Sequence, residues 1–293
     1  MTSGILLLDK KEGISSGKCV YKARKKLGIK KIGHAGTLDP LATGLLPLLV
    51  GKATRVSDFL MADIKEYETL AYFGEKTDSQ DKTGQVIERS LNSFTRSDLE
   101  KAIKENFLGE ILQTPPMYSA IKHKGQKLYE LARKGQSVER KKRRIKIYDF
   151  EILDFNFPYA KFRIKCSKGT YIRTLVNDLG EVLKTFANVH ELRRTRVGEF
   201  DVKDAVSFDD LENLKKEQIE KYLMPIDHAL VDLKKVVLDK RHLKHAINGM
   251  AIKKDFSKSL ENQNLRVYVE DNFIGIGRYI DGAIKLKKVF YEG

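Results

Sequence analysis

Gly33-His34-Ala35-Gly36-Thr37-Leu38-Asp39-Pro40-Leu41-Ala42-Thr43-Gly44 is the stretch on which the reading of this chain turns. Pro40 disfavours the helical region for the residue before it, so Asp39 is expected to be extended and to present its carboxylate from a loop. Gly33, Gly36 and Gly44 permit sharp turns and close approach of backbone to a ligand. An Asp-Pro pair is also a common turn opener whose carboxylate bonds only to neighbouring amides. A His, three glycines and a Thr around one acid exceed what a plain turn requires, so Asp39 is read as a nucleophile or base.

Outward from this window the pattern is mixed α and β. Ile5–Leu8 reads as a short apolar strand, and Ser15 or Ser16 caps a helix through Val20, Ala23 and Leu27 that stops at Gly28. Leu45–Val50 reads as a buried strand leaving the Asp39 loop. Thr95 with Asp98 resembles a capping box before Leu99, Ala102, Ile103 and Phe107, with Gly109 as the stop. Tyr159–Cys166 alternates, with Ala160, Phe162, Ile164 and Cys166 on one face and Lys161, Arg163 and Lys165 on the other, a face suited to an anion. From Ile172 the period changes to 3.6, which places Tyr171 and Arg173 at a strand-to-helix junction. A helix capped by Ser207 and Asp210 is expected to run to about Tyr222, broken by Pro225. Beyond about Val231 the chain has a helix over 241–248 and then strands with turns at Asp271-Asn272 and Asp281-Gly282.

The 293 residues are 41% hydrophobic and 32% charged, enough apolar content for one large domain and a small one. No 18-residue apolar run and no signal segment occur, which leads to the expectation of a cytoplasmic protein without a membrane span. Cys19 and Cys166 lack zinc-site spacing, and the six histidines are scattered, so no metal is expected. The net charge of +15 favours a polyanionic partner. Between Lys122 and Ile147 stand eleven basic and two acidic residues, a local excess of nine and more than half of the surplus. This segment is read as a mobile arm that orders against a phosphate backbone, through Lys141, Lys142, Arg143 and Arg144 in particular. A second cationic cluster contains Arg193, Arg194 and Arg196.

The motif around Asp39 closely resembles the nucleophile motif of the bacterial TruB-type tRNA pseudouridine-55 synthases. Four further blocks agree in order: Asp9-Lys10-Lys11-Glu12-Gly13-Ile14-Ser15-Ser16, Pro115-Pro116-Met117-Tyr118-Ser119-Ala120-Ile121-Lys122, Gly169-Thr170-Tyr171-Ile172-Arg173-Thr174-Leu175 and Leu192-Arg193-Arg194-Thr195. The resemblance spans nearly the whole chain. One departure is Lys11, where the family usually has proline.

The resemblance implies an α+β pseudouridine synthase fold over 1–231, with a mixed, largely antiparallel sheet flanked by helices and loops and with the arm at 122–147. It also implies a small β-rich, PUA-like RNA-binding domain over 232–293. The implied reaction isomerises a uridine in the T loop of tRNA to pseudouridine without cofactor or metal, after extrusion of the base from its stack. Asp39 corresponds to the nucleophile, Arg173 to its arginine partner, and Tyr67 to a tyrosine that stacks on the base. Tyr171 and Leu192 complete the uracil pocket, His34 enters the space vacated by the flipped nucleotide, and Lys10 supports the active-site loop. Arg193 and Arg194 are expected at the RNA backbone. No obligatory protein partner and a monomeric state are expected. The rival classes are a guide-dependent pseudouridine synthase and a non-catalytic RNA-binding or tRNA-folding protein.

Overall fold

The computed structural model describes residues 2–62, 64–254 and 256–291. The Asp39 motif lies between strands β2 (Ile32–His34) and β3 (Thr43–Val50). β3 pairs antiparallel with β1 (Gly4–Lys10), Leu6 opposite Leu48 and Leu8 opposite Leu46. The centres of both strands are continuously apolar because both of their faces are covered. Leu6, Leu8, Leu46 and Leu48 enter the main core, while Ile5, Leu7, Leu45 and Leu49 enter a second core on the opposite face.

Six more strands complete the principal path: β4 (Lys65–Phe73), β5 (Gly109–Gln113), β6 (Arg143–Asn156), β7 (Tyr159–Cys166), β8 (Ala187–Val197) and β9 (Val206–Ser207). Their order in the eleven-stranded sheet found among the described residues is β9-β1-β3-β8-β4-β7-β6-β5. β8 runs parallel to β3 and β9 parallel to β1, while every other neighbour on this path is antiparallel. This is the mixed, largely antiparallel sheet of an α+β protein.

The three longest helices among the described residues pack on it. Helix α1 (Ser16–Leu27) is capped by the Ser15 hydroxyl, which accepts from Lys18 N, and ends at Gly28 in the left-handed region, φ 69°. Helix α2 (Arg96–Asn106) begins at the expected Thr95–Asp98 box but closes at Phe107, and Gly109 opens β5 instead of stopping the helix. Helix α3 (Ile172–Val182) lays Ile172, Leu175, Val176 and Leu179 on the main core. A Cβ on Gly180 would stand 2.3 Å from Ala187 N, so glycine is what lets α3 approach the start of β8.

Two expectations need correction here. The helix expected to reach about Tyr222 is split into Phe208–Asn213 and Lys216–Glu220, because Leu214 takes an extended conformation and packs against the main core. Two of the three cations on the exposed face of β7 are already countered by neighbouring strands. Arg163 pairs with Glu151 at 2.9 Å and Glu68 at 3.3 Å, and Lys161 with Glu68 at 3.4 Å, so cross-strand carboxylates take up their charge. The apolar face behaves as expected, with Ala160, Phe162, Ile164 and Cys166 all buried.

The arm is more ordered than its composition suggests. Lys122–His123 and Gln126–Lys127 form a small hairpin, Leu128–Ala132 a helical turn, and Arg143 and Arg144 already belong to β6.

A separate five-stranded sheet is built from β10 (Lys234–Leu238), β11 (Ile252–Lys253), β12 (Asn264–Val269), β13 (Asn272–Ile280) and β14 (Ala283–Val289), in the order β10-β12-β13-β14-β11. Asp281 and Gly282 both have positive φ, 50° and 73°, as a tight hairpin turn demands. The helix expected over 241–248 is a 3-10 turn, Lys240–His242, followed by helix Leu243–Ile247. This sheet has its own core around Val236, Val267 and Ile284, yet Ile276 and Phe290 join the second core beneath β1 and β3. Arg55 Nη1 donating to Val289 O at 2.8 Å and Lys288 Nζ donating to Arg55 O at 2.6 Å reinforce that junction. No helix among the described residues is long and apolar enough to cross a membrane.

Candidate active site

The backbone of Asp39 does what an Asp-Pro turn does, with Ala42 N donating to Asp39 O at 3.1 Å. The carboxylate goes elsewhere. Its Oδ2 lies 2.9 Å from Nε of Arg173 in the first turn of α3. The rest of the guanidinium is also committed: Nη1 donates to Ser79 O and Nη2 to Tyr118 O, each at 2.7 Å. Asp81 Oδ2 is 3.5 Å from Nη1. The Arg173 side chain is 4% exposed and that of Asp39 37%, so a fixed, buried cation holds an anion that solvent still reaches.

The loop carrying Asp39 is gripped from three sides. Ser16 Oγ donates to Leu38 O at 3.0 Å and accepts from Leu38 N at 2.9 Å, so of the two serines Ser15 caps α1 and Ser16 fixes the motif. Gly13 N donates to Pro40 O at 2.8 Å. Lys10, fully buried at the end of β1, spends its ammonium on Ile14 O at 2.8 Å, Lys11 O at 3.0 Å and Pro40 O at 3.2 Å. Lys11 itself, in place of the family's proline, reaches Asp209 and lies over the Phe208 ring. An ion pair and a cation–π contact thus stand where a rigid ring would.

From the third side comes Arg194 of β8, 1% exposed, whose Nε donates to Leu45 O at 2.8 Å and Nη2 to Gly36 O at 3.0 Å. Gly44 makes this grip possible: its φ is 97°, and a Cβ there would stand 2.3 Å from Arg194 O.

Tyr67 of β4 pairs directly with Arg194 in the sheet register, and Leu192 with Thr69, which puts Tyr67, Leu192 and Arg194 on one face. Burial pushes the Tyr67 hydroxyl above its ordinary range, while the Arg194 charge pulls it back, so the ring stays a neutral phenol at neutral pH. His34 is half-buried. Its pKa is lowered first by burial and then by Arg194, and its buried Nδ1 has no hydrogen-bond partner among the described residues. Tyr171 caps α3, and Gln113 holds it in place, Oε1 accepting from Tyr171 N at 2.8 Å and Nε2 donating to Tyr171 O at 3.0 Å. Burial raises the Tyr171 hydroxyl pKa as well.

A sequence profile described as the N terminal domain of TruB family pseudouridylate synthase matches residues 24–172, and one described as the tRNA pseudouridylate synthase B C-terminal domain matches 173–231. The chain is 42% identical to the tRNA pseudouridine synthase B of Clostridium kluyveri, over 98% of this chain and 99% of that protein. With the enzyme of the same name from Pseudomonas fluorescens the identity is 41%, over 98% and 95%. The chain belongs to the TruB family of pseudouridylate synthases. Among solved structures, a crystal structure of a Cbf5-Nop10-Gar1 complex superposes with a TM-score of 0.76 at 26% identity, covering 98% of this chain and 85% of that one. A structure of an H/ACA RNP bound to a substrate RNA containing 2'-deoxyuridine shares the fold at a TM-score of 0.74, 24% identity and coverage of 99% and 85%.

Against this family frame one of the expected RNA-backbone residues needs correction. Arg194 cannot reach a phosphate, because its guanidinium is buried in the motif loop. Arg193 is half-exposed but engaged by Asp9 in a two-pronged pair, Nη2 to Oδ2 at 2.6 Å and Nη1 to Oδ1 at 3.1 Å. Charge in a sequence cluster says nothing about which side chains turn inward, and strand alternation alone points Arg194 in and Arg193 out.

The sequence reading missed the segment Asp78–Gly84. It pins itself to β8 through Lys82 N donating to Val189 O at 2.8 Å and Val189 N donating to Gln80 O at 3.1 Å. It also delivers Ser79 O and Asp81 to Arg173, and Lys82 reaches across to Glu12 at 3.0 Å. Its only signal is a cluster of turn-forming residues, Asp78-Ser79-Gln80-Asp81-Lys82-Thr83-Gly84, which by itself reads as a loop.

Proposed function

We propose that this chain isomerises a uridine in the T loop of tRNA, position 55, to pseudouridine, with Asp39 as the catalytic carboxylate and Arg173 as its fixed partner. The observation that carries this reading is the 2.9 Å Asp39–Arg173 pair, in which the cation is buried and the anion exposed. In the reaction the C1′–N1 bond breaks, the uracil turns, a C1′–C5 bond forms, the C5 proton leaves to solvent and N1 takes up a proton in its place. An ionised carboxylate serves this by bonding to C1′ or by stabilising positive charge on the sugar. Tyr67, kept neutral, stacks on the uracil. Tyr171 and Leu192 line its pocket, and His34, neutral and with a free Nδ1, is suited to enter the gap left in the stack. The reading is of a stand-alone, monomeric enzyme with no obligatory protein partner. Purified protein with a T-stem-loop minihelix labelled with tritium at C5 tests it, and no tritium release from protein alone overturns it.

The basic arm supplies the electrostatic part of RNA binding. Residues 232–293, with thirteen basic and eight acidic side chains, act as a small PUA-like RNA-binding module. Replacing Lys141 and Lys142 together by Ala is expected to weaken minihelix binding and to reduce the slope of log K against log salt by roughly one per lysine, with little change in single-turnover rate. Filter binding across a salt series measures both, and binding as tight as wild type at moderate salt removes the arm from the interface.

Lys10 gives the reaction a pH limb. Desolvation lowers its pKa to about 8, against the opposing pull of Cys19, Asp39 and Glu12, with Arg194 pushing further down. Below that value an ammonium has a donor for each of three carbonyls. Above it an amine has two, and the hold on Pro40 O loosens. We expect the single-turnover rate to fall as pH rises through about 8, and the residual activity of Lys10→Met to lack that limb. Unfolding is not the cause. A lysine whose folded pKa lies below its unfolded value makes folding more favourable as pH rises between about 8 and 10.5, so melting temperature followed over the same range separates the two.

A further inference from the structure

Tyr118 is bonded to the catalytic arginine by its backbone and to the loop on the other side of that arginine by its side chain. Its carbonyl accepts from Arg173 Nη2 at 2.7 Å, and its hydroxyl donates to Asp78 Oδ2 at 3.2 Å. Asp78 in turn accepts from Gln85 N through Oδ1 at 2.9 Å, which closes the loop that presents Ser79 O to Arg173 Nη1. The two ends of the guanidinium fork are therefore held by two segments that Tyr118 ties together.

Tyr118 is also the root of the basic arm. The next residue, Ser119, accepts from Tyr129 N at 3.1 Å, and Ile121 O accepts from Leu128 N at 2.8 Å, so the hairpin and helical turn of the arm are built directly on it. Where the arm returns, Arg140 Nη1 donates to Pro115 O at 3.1 Å and closes the arm's base. Burial and the Asp78 charge hold the Tyr118 hydroxyl above its ordinary pKa, which keeps it a donor.

We propose that Tyr118 is a positioning residue through which the seating of the basic arm on RNA sets the Arg173–Asp39 pair. The proposal rests on the reading of Arg173 and Asp39 as the catalytic pair. Arg173 is buried, so an Nη2 without its carbonyl acceptor is an unsatisfied donor, and the fork tilts to find another. A docked arm fixes that carbonyl, and the hydroxyl bond to Asp78 keeps it in register with the Ser79 side. RNA captured by the arm thereby holds in place the arrangement that orients Asp39, and turnover is matched to correct seating of the substrate.

The test is Tyr118→Phe and Asp78→Ala, singly and together, in the full chain with the T-stem-loop minihelix. Single-turnover rate, minihelix Kd and melting temperature are measured for each. Loss of one hydrogen bond predicts a rate about five-fold lower in Tyr118→Phe, with Kd within about two-fold of wild type and melting unchanged, and a loss at least as large in Asp78→Ala, which also frees Gln85 N. The double variant is expected to be no slower than Asp78→Ala alone, because that change already removes the acceptor of the Tyr118 hydroxyl. Wild-type rates, effects that multiply in the double variant, or a weakened Kd at unchanged rate each overturn the coupling; the last of these makes Tyr118 a plain RNA contact. Arg173→Ala assayed alongside separates the two levels of the argument. If it turns over like wild type, the catalytic assignment fails, whereas a dead Arg173→Ala beside a fully active Tyr118→Phe refutes only the coupling.

Discussion

Asp39→Asn is expected to end turnover, lowering tritium release by at least about 10³-fold while minihelix affinity stays close to wild type. Asparagine is nearly isosteric. The turn from Asp39 O to Ala42 N and the tethers at Leu38 and Pro40 use only backbone atoms of the loop or side chains elsewhere, so the loop survives the change. What is lost is the negative charge facing Arg173 and the oxygen able to bond to or stabilise C1′. A rate close to wild type would falsify the assignment of Asp39 as the reacting carboxylate. Equal loss of binding and turnover would make it a folding residue.

Arg173→Ala is expected to remove turnover as well, with a second effect that Asp39→Asn lacks. The guanidinium serves Asp39, Asp81, Ser79 O and Tyr118 O together. Truncation leaves the Asp81 carboxylate, 5% exposed, without its cation while Ser79 and Thr83 still donate to Oδ1, and breaking a buried pair by removing one partner costs up to about 3–5 kcal/mol. A protein of this size then melts lower by roughly 2 °C per kcal/mol. Adding Asp81→Asn neutralises the stranded carboxylate and is expected to restore part of the melting temperature and none of the activity. Lysine at 173 cannot substitute, since one ammonium cannot fork to four acceptors on two sides. Calorimetry and tritium release on the same preparations check both halves, and wild-type melting of Arg173→Ala would show that the pair adds nothing to the fold.

Much of the candidate site was legible because the residues proposed to carry the chemistry lie in motifs. Asp39 before a proline, Arg173 at the change of period from two to 3.6, and the glycines around both left local signals. The strand faces were legible for the same reason: Ala160 to Cys166 alternate, and the opposite residues are solvated. What stayed hidden depends on contacts between segments remote in sequence. Nothing local to Asp81 says that α3 will bring an arginine to it. Alternation in Leu192-Arg193-Arg194-Thr195 puts the two arginines on opposite faces, but nothing local says that one locks the motif loop and the other pairs with Asp9. The carboxylates that neutralise β7 come from β4 and β6, so the face read as an anion site was a property of three strands rather than one. Leu214 interrupts a helix that capping and period both supported, because its side chain is drawn into the main core.

The concentration of charge in the arm bears on events before any contact is made. With an excess of nine in one short segment of a chain carrying +15 overall, the positive field is lopsided. An approaching tRNA therefore exerts a torque on the protein as well as a pull, turning it until the arm leads. Collisions are thus sorted by orientation while the partners are still about a Debye length apart. The first part of the protein to meet the nucleic acid is then the one rooted at Tyr118, beside the Asp39–Arg173 pair.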